Sequence, residues 1–149
     1  AIRSELFDAK YIRKKPDKKQ MKTSVPYLKY LSSDGFVILS GRNNLQNDKL
    51  TLKDSAKSDI WFHTQKIPGS HTVILTEGKS VPDKTLEEAA IIAAYNSKAR
   101  ASTKVAVDYT QIKNVKKPSG AKPGMVIYET YKTAIVTPDE ELVKKLISK

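Results

Sequence analysis

Asp59-Ile60-Trp61-Phe62-His63-Thr64-Gln65-Lys66-Ile67-Pro68-Gly69-Ser70-His71-Thr72-Val73-Ile74-Leu75-Thr76 is the stretch from which the fold can be read. Aromatic and β-branched residues flank the turn-forming Ile67-Pro68-Gly69, which predicts a β-hairpin with strands over 59–64 and 70–76. Side chains alternate across a strand, so Asp59, Trp61 and His63 share one face while Ile60 and Phe62 take the other. A turn centred on Ile67 sets His63 opposite His71.

Working outward, Tyr27–Leu31 and Phe36–Leu39 read as strands joined by Ser32-Ser33-Asp34-Gly35. After Gly41, the polar run Arg42-Asn43-Asn44 leads into a short helix predicted to carry Leu45, Leu52 and Ala56 on one side. Thr85 and Glu88 have capping-box spacing ahead of Ala89-Ala90-Ile91-Ile92-Ala93-Ala94, a helix apolar on most sides and hence buried against a sheet. Strands are expected over 104–109 and 125–136, the second broken into a hairpin near Tyr131. Between them lies a Pro/Gly-rich loop over 113–124. A last helix follows Thr137, with Pro138 at its first position, Glu140 completing a capping box and Lys144 and Lys145 near its negative end.

Residues 1–24 differ from this body. Ile2, Leu6, Ala9 and Ile12 have helical spacing, and Pro16 ends the run. They are expected to form the end of a longer helix or coiled coil, followed by a basic linker, with the compact domain occupying 25–149. The resulting expectation is an α+β single domain: a mixed, largely antiparallel sheet packed by two or three helices, with an N-terminal helical stub.

The 149-residue chain contains no cysteine, which removes disulfides, thiolate zinc sites and a cysteine nucleophile. No apolar run approaches the ~20 residues that span a bilayer, and no signal-peptide core is present, so membrane insertion is not expected and a cytoplasmic setting is. The net charge of +11 is unevenly spread. Residues 1–30 hold nine basic and three acidic side chains, and residues 98–132 hold eight and two. Two concentrated basic zones on a balanced body favour a polyanionic partner, because each phosphate neutralised releases a condensed counterion.

Three constellations carry possible chemistry. Trp61, His63 and His71 with Asp59 admit metal binding or acid/base work, a structural hydrogen-bonded role, or contact with RNA by stacking and hydrogen bonding. Gly41-Arg42-Asn43-Asn44-Leu45-Gln46-Asn47-Asp48 offers Arg42, Asn43, Asn44 and Asn47 to phosphate or base edges at a helix N-terminus, though such residues also cap helices. Lys113, Lys116, Lys117 and Lys122, preceded by Lys98, Arg100 and Lys104, form a loop region with no acidic neighbour over 113–124, so the loop's charge is expected to be free for phosphate. No phosphate-cradling glycine loop, nucleophile elbow or zinc-protease helix occurs. The chain is read as having no catalytic residue and no cofactor.

The ordered set Ser33-Asp34-Gly35, Gly41-Arg42-Asn43-Asn44, Asn47-Asp48-x-Leu50-Thr51, Asp59-x-Trp61-Phe62-His63, Pro68-Gly69-Ser70-His71, Tyr95-Asn96-Ser97-Lys98-Ala99-Arg100 and Val115-Lys116-Lys117-Pro118 resembles the NFACT-R domain over about 25–137. The resemblance implies an RNA-binding module. In that family such a module closes a multidomain ribosome quality-control protein that engages the large ribosomal subunit and peptidyl-tRNA of stalled complexes and supports C-terminal tailing, and the resemblance implies the same setting here. Bacterial members are also described as fibronectin- or fibrinogen-binding proteins. The alternative expectation is therefore an adhesin module at the bacterial cell surface, meeting fibronectin or other host components. A third is a metal-dependent phosphodiesterase built on Asp59, His63 and His71.

Overall fold

The computed structural model describes residues 26–148. The expected helical stub and basic linker lie outside them. Strands β1 (Leu28–Leu31), β2 (Val37–Ser40), β3 (Ile60–Thr64), β4 (Thr72–Leu75), β5 (Val105–Gln111) and β8 (Lys132–Val136) form a six-stranded sheet in the order β1-β2-β4-β3-β5-β8. Every pairing in it is antiparallel. A separate two-stranded ribbon joins β6 (Val115–Lys116) to β7 (Ile127–Tyr128). Three helices complete the domain: α1 (Asn44–Leu52), α2 (Asp83–Tyr95) and α3 (Glu140–Leu146).

The central hairpin pairs Trp61 with Val73 and Phe62 with Thr72, the register expected from a turn at Ile67. Its alternation divides the interior into two layers. Phe62 joins Ile38, Ile74, Val107 and the run Ala89–Ala94 on the face covered by α2 and α3. Trp61 joins Leu50, Val73, Ile112 and Val115 on the opposite face, covered by α1 and the ribbon. α2 is buried nearly all round because it contacts both the sheet and α3.

Several local expectations give way to longer-range bonds. Thr85 and Glu88 do not cap α2, whose N-cap is Pro82 with no side-chain bond. Thr85 Oγ1 instead donates to Asp34 Oδ2 at 3.0 Å, and Glu88 accepts from the Ser33 amide at 2.9 Å and from its hydroxyl, so the pair fastens the first hairpin turn to the helix. The buried face of α1 is Asn47, Leu50 and Thr51; Leu45 is 71% exposed, and Ala56 is exposed beyond the helix. The stretch 125–136 does break, but its halves enter different sheets rather than pairing with each other. Thr130, at φ 54°, marks the change of direction. Asp139, not Thr137, caps α3 by accepting from Leu142 N at 3.1 Å.

After α3 the chain returns to the β1 edge, where Ile147 bridges Tyr30 and Ser148 N donates to the Lys29 carbonyl at 2.8 Å.

At the β2–α1 junction a Cβ on Gly41 would lie 2.1 Å from Asn47 Oδ1 and 2.9 Å from its backbone nitrogen. Gly35 has open space but a φ of +89°. We expect Gly41→Ala to destabilise the domain by about 1–3 kcal/mol through overpacking, and Gly35→Ala by about 1 kcal/mol through left-handed strain alone. Urea unfolding of the two variants checks the order.

Candidate nucleic-acid interface

The second layer of the core opens into a pocket of about 570 Å³. Its walls come from the N-terminus of α1 at Asn44, from β3 at Trp61 and His63, from the β3–β4 turn over 66–69, from His71, and from the loop and ribbon at Pro123–Val126 and Tyr128. His63 and His71 do face each other, with ring centroids 5.5 Å apart and planes nearly perpendicular. Trp61 stacks parallel to His63 at 5.8 Å and meets Tyr128 at 4.7 Å.

His71 holds the pocket's back wall together. Its Nε2 lies 3.2 Å from the Gly124 carbonyl, which can only accept, so the proton sits there and Nδ1 accepts from Thr51 Oγ1 at 2.7 Å. The His71 amide donates to Asn47 Oδ1 at 3.1 Å. Burial, reinforced by neighbouring His63, lowers the imidazole to about 4 against the pull of the Gly124 carbonyl. His63 is also lowered by burial, while its Nδ1–H donates to the Thr64 carbonyl at 2.7 Å. Both rings are therefore neutral near pH 7.

The loop is clamped on its other side by charge. Asp48 accepts from Gly124 N at 3.0 Å and pairs with Lys117 Nζ at 3.1 Å. Lys117 Nζ also donates to the carbonyls of Lys122 at 2.6 Å and Met125 at 3.1 Å. The expectation that the loop's cations lack ion pairs thus fails at Lys117: its acid comes from α1, 69 residues earlier in the chain, where local composition could not reveal it. Tyr128 is fixed by donating to Asp108 Oδ2 at 2.6 Å, and burial followed by this bond raises its phenol. Asp108 also accepts from Thr133 and Gln65.

The remaining candidates divide by exposure. Asn47, Trp61 and His71 are buried at 3%, 1% and 1% exposure. Asn43 is exposed and caps α1 through Gln46 N at 2.9 Å, while Arg42 Nε donates to the Pro26 carbonyl at 2.7 Å. Arg100 is exposed, with Nε on the Tyr95 carbonyl and its guanidinium 4.1 Å from the Tyr95 ring. Lys98, Lys113 and Lys116 are exposed, and the Lys98 amide donates to the Pro68 carbonyl, bringing that residue beside the pocket's lip. Asp59 sits at the start of β3, accepting from the Ala56 and Thr76 amides at 2.9 Å each. Among the described residues no group of three His, Cys, Asp or Glu side chains is placed to hold a metal ion, so the expected Asp59–His63–His71 constellation does not assemble.

Sequence reasoning missed Lys66, Met125 and Tyr128, all pocket-lining. Lys66 lies inside the hairpin turn and was open to notice. Tyr128 reaches the site through the ribbon register, for which no local signal exists.

The profile of the NFACT protein RNA binding domain matches residues 26–130. The chain belongs to the NFACT-R family. The NFACT-R chain is 52% identical over 149 residues to the Rqc2 homolog RqcH of Bacillus subtilis, covering 97% of this chain and 26% of that protein. The RqcH of Streptococcus suis is 44% identical over 146 residues with the same coverages. The chain therefore spans about a quarter of the length of these curated relatives. A solved structure, the C-terminal part of the fibronectin/fibrinogen-binding protein of Streptococcus suis, superposes with a TM-score of 0.80 at 44% identity, over 91% of this chain and 53% of that one.

Two measurements check the clamp. Because the folded value of His71 lies below its unfolded value near 6.5, stability is full above pH 6.5 and declines toward pH 4, by about 2–3 kcal/mol from this residue. His71→Gln should flatten that part of the wild-type pH profile. Lys117→Ala should cost about 1 kcal/mol, whereas Lys116→Ala should stay within about 0.5 kcal/mol of wild type in thermal melts.

Proposed function

We propose that this NFACT-R domain is the RNA-binding end of a ribosome quality-control factor, meeting ribosomal RNA and tRNA of stalled large-subunit complexes, with no catalytic step of its own. The observation that carries this reading is the family match joined to the surplus of positive charge. Lys98, Lys113 and Lys116 are exposed and are placed near or on the elements that frame the pocket. Cations of this kind position a phosphate backbone without reading sequence. The bonds made by Arg42, Asn43 and Arg100 leave part of each side chain to meet phosphate while fixing its direction.

No helix among the described residues is long and apolar enough to cross a membrane. The RNA reading places the domain in the cytoplasm and calls for no cofactor.

A second reading follows from the Streptococcus suis neighbour, which is described as fibronectin/fibrinogen-binding. In it the same basic surface engages host matrix protein at the cell surface. Competition between ribosomal or transfer RNA and fibronectin at matched ionic strength separates the two: the RNA reading expects RNA to win.

Binding through about four to six phosphates gives a log–log salt slope of roughly −3 to −5. Replacing Lys113 and Lys116 with Ala should weaken binding equally across RNA sequences and reduce the slope by about one unit per lost contact. Affinity measured at several salt concentrations checks this, with melting curves as the folding control. Superimposable salt plots would move the phosphate contacts off this loop.

A further inference from the structure

The Trp61 indole N–H is buried and has no hydrogen-bond acceptor among the described residues. It is the one buried side-chain donor or acceptor there in that condition, in a core where His71, Asn47, Thr51, Asp59 and Asp108 are all bonded. Buried donors are seldom left unpaired, and Trp61 lines the 570 Å³ pocket. That volume falls within the range of about 300–1,000 Å³ usual for small-molecule sites.

We propose that this pocket takes one unstacked nucleobase of RNA, an inference that rests on the RNA-binding reading and names what the site recognises. The lining is aromatic, from Trp61, Tyr128 and the two imidazoles; Trp61 and His71 form its buried floor, and the half-buried Tyr128 and His63 are the rings with surface left for a base to stack on. Both imidazoles are neutral, so neither competes as a buried cation. A base edge carries ring nitrogens and carbonyl oxygens that can accept from the indole N–H. A hydrocarbon chain has none.

Charge favours the same occupant. Among the described residues no carboxylate lines the pocket, and Asp48 and Asp108, which act on its imidazoles, are engaged by Lys117 and Gly124 and by Tyr128, Thr133 and Gln65. Lys66 stands at the rim in a left-handed conformation, φ 58°, a strained state that persists only where surrounding structure imposes it. Its ammonium is suited to the phosphate attached to a captured base, and it disfavours the organic cation that an aromatic cage would otherwise accept. Met125, 59% exposed at the rim, adds an adaptable apolar surface.

Trp61 is the chain's only tryptophan, so its single indole resonance and its fluorescence report the site directly. The test titrates the 149-residue chain with adenosine monophosphate, with a single-stranded RNA and with a blunt RNA duplex, recording the indole ¹⁵N–¹H signal and overall affinity. The expected result is a saturable indole shift with the mononucleotide, the same shift at lower concentration with single-stranded RNA, and duplex binding that leaves the indole unmoved. Lys66→Asn, which tolerates the left-handed backbone, and Met125→Ala should each keep the melting temperature. Together they should weaken the single-strand interaction at least about fivefold. Single-stranded RNA that binds without moving the indole overturns the pocket proposal and leaves the RNA reading standing. Absence of any RNA binding at low salt overturns that reading itself. A response to the mononucleotide alone assigns the site to a free nucleotide rather than to RNA.

Discussion

A neutral imidazole with both nitrogens committed holds the pocket side of this domain in place. His71, immediately ahead of strand β4, accepts from Thr51 of α1 and donates to Gly124 of the loop before β7, so three segments distant in sequence meet on one ring. The arrangement requires the ring to stay uncharged: a second proton on Nδ1 would face a hydroxyl that now donates to it, in a setting where burial already resists charge. Gly124 answers the same geometry from its side. At φ +85° it passes so close to Asn44 that a Cβ would lie 2.6 Å from the amide oxygen, and only glycine brings the carbonyl to His71 without strain.

This clamp explains why one sheet supports two unlike surfaces. The face under α2 and α3 is a closed hydrophobic core built from Ile38, Phe62, Ile74, Ile92 and Val107. The other face is covered by a nine-residue helix and a two-strand ribbon too small to seal it, so aromatic side chains that would elsewhere be interior line an accessible recess. Hydrophobic packing fixes the first layer. The second depends on hydrogen bonds and the Asp48–Lys117 pair, whose strength follows protonation and local dielectric.

Where structure was encoded locally, the sequence was readable. The hairpin over 59–76 carried its own register, and with it the opposition of His63 and His71 and the separation of Trp61 from Phe62. Helix α2 was legible as buried because its apolar residues surround it. What escaped were side chains whose partners lie far along the chain. Thr85 and Glu88 matched a capping box but serve the turn at Ser33–Asp34, and a local rule cannot tell the two uses apart. Lys117 looked free because no acid is near it in sequence, and Leu45 and Leu52 looked like a helix core because spacing says nothing about Asn47 and Thr51 having polar partners inside. The basic zone was visible from composition, whereas the pocket beside it was not, since its walls come from three separate stretches, at 44, 61–71 and 123–128.

The bond from Ser148 to Lys29 has an architectural consequence. It brings the two ends of the described domain to the same edge strand, side by side at strand spacing, so a polypeptide entering at residue 26 and leaving after residue 148 gains almost no length from the domain. A module attached in this way is a pendant on its parent chain rather than a link in it.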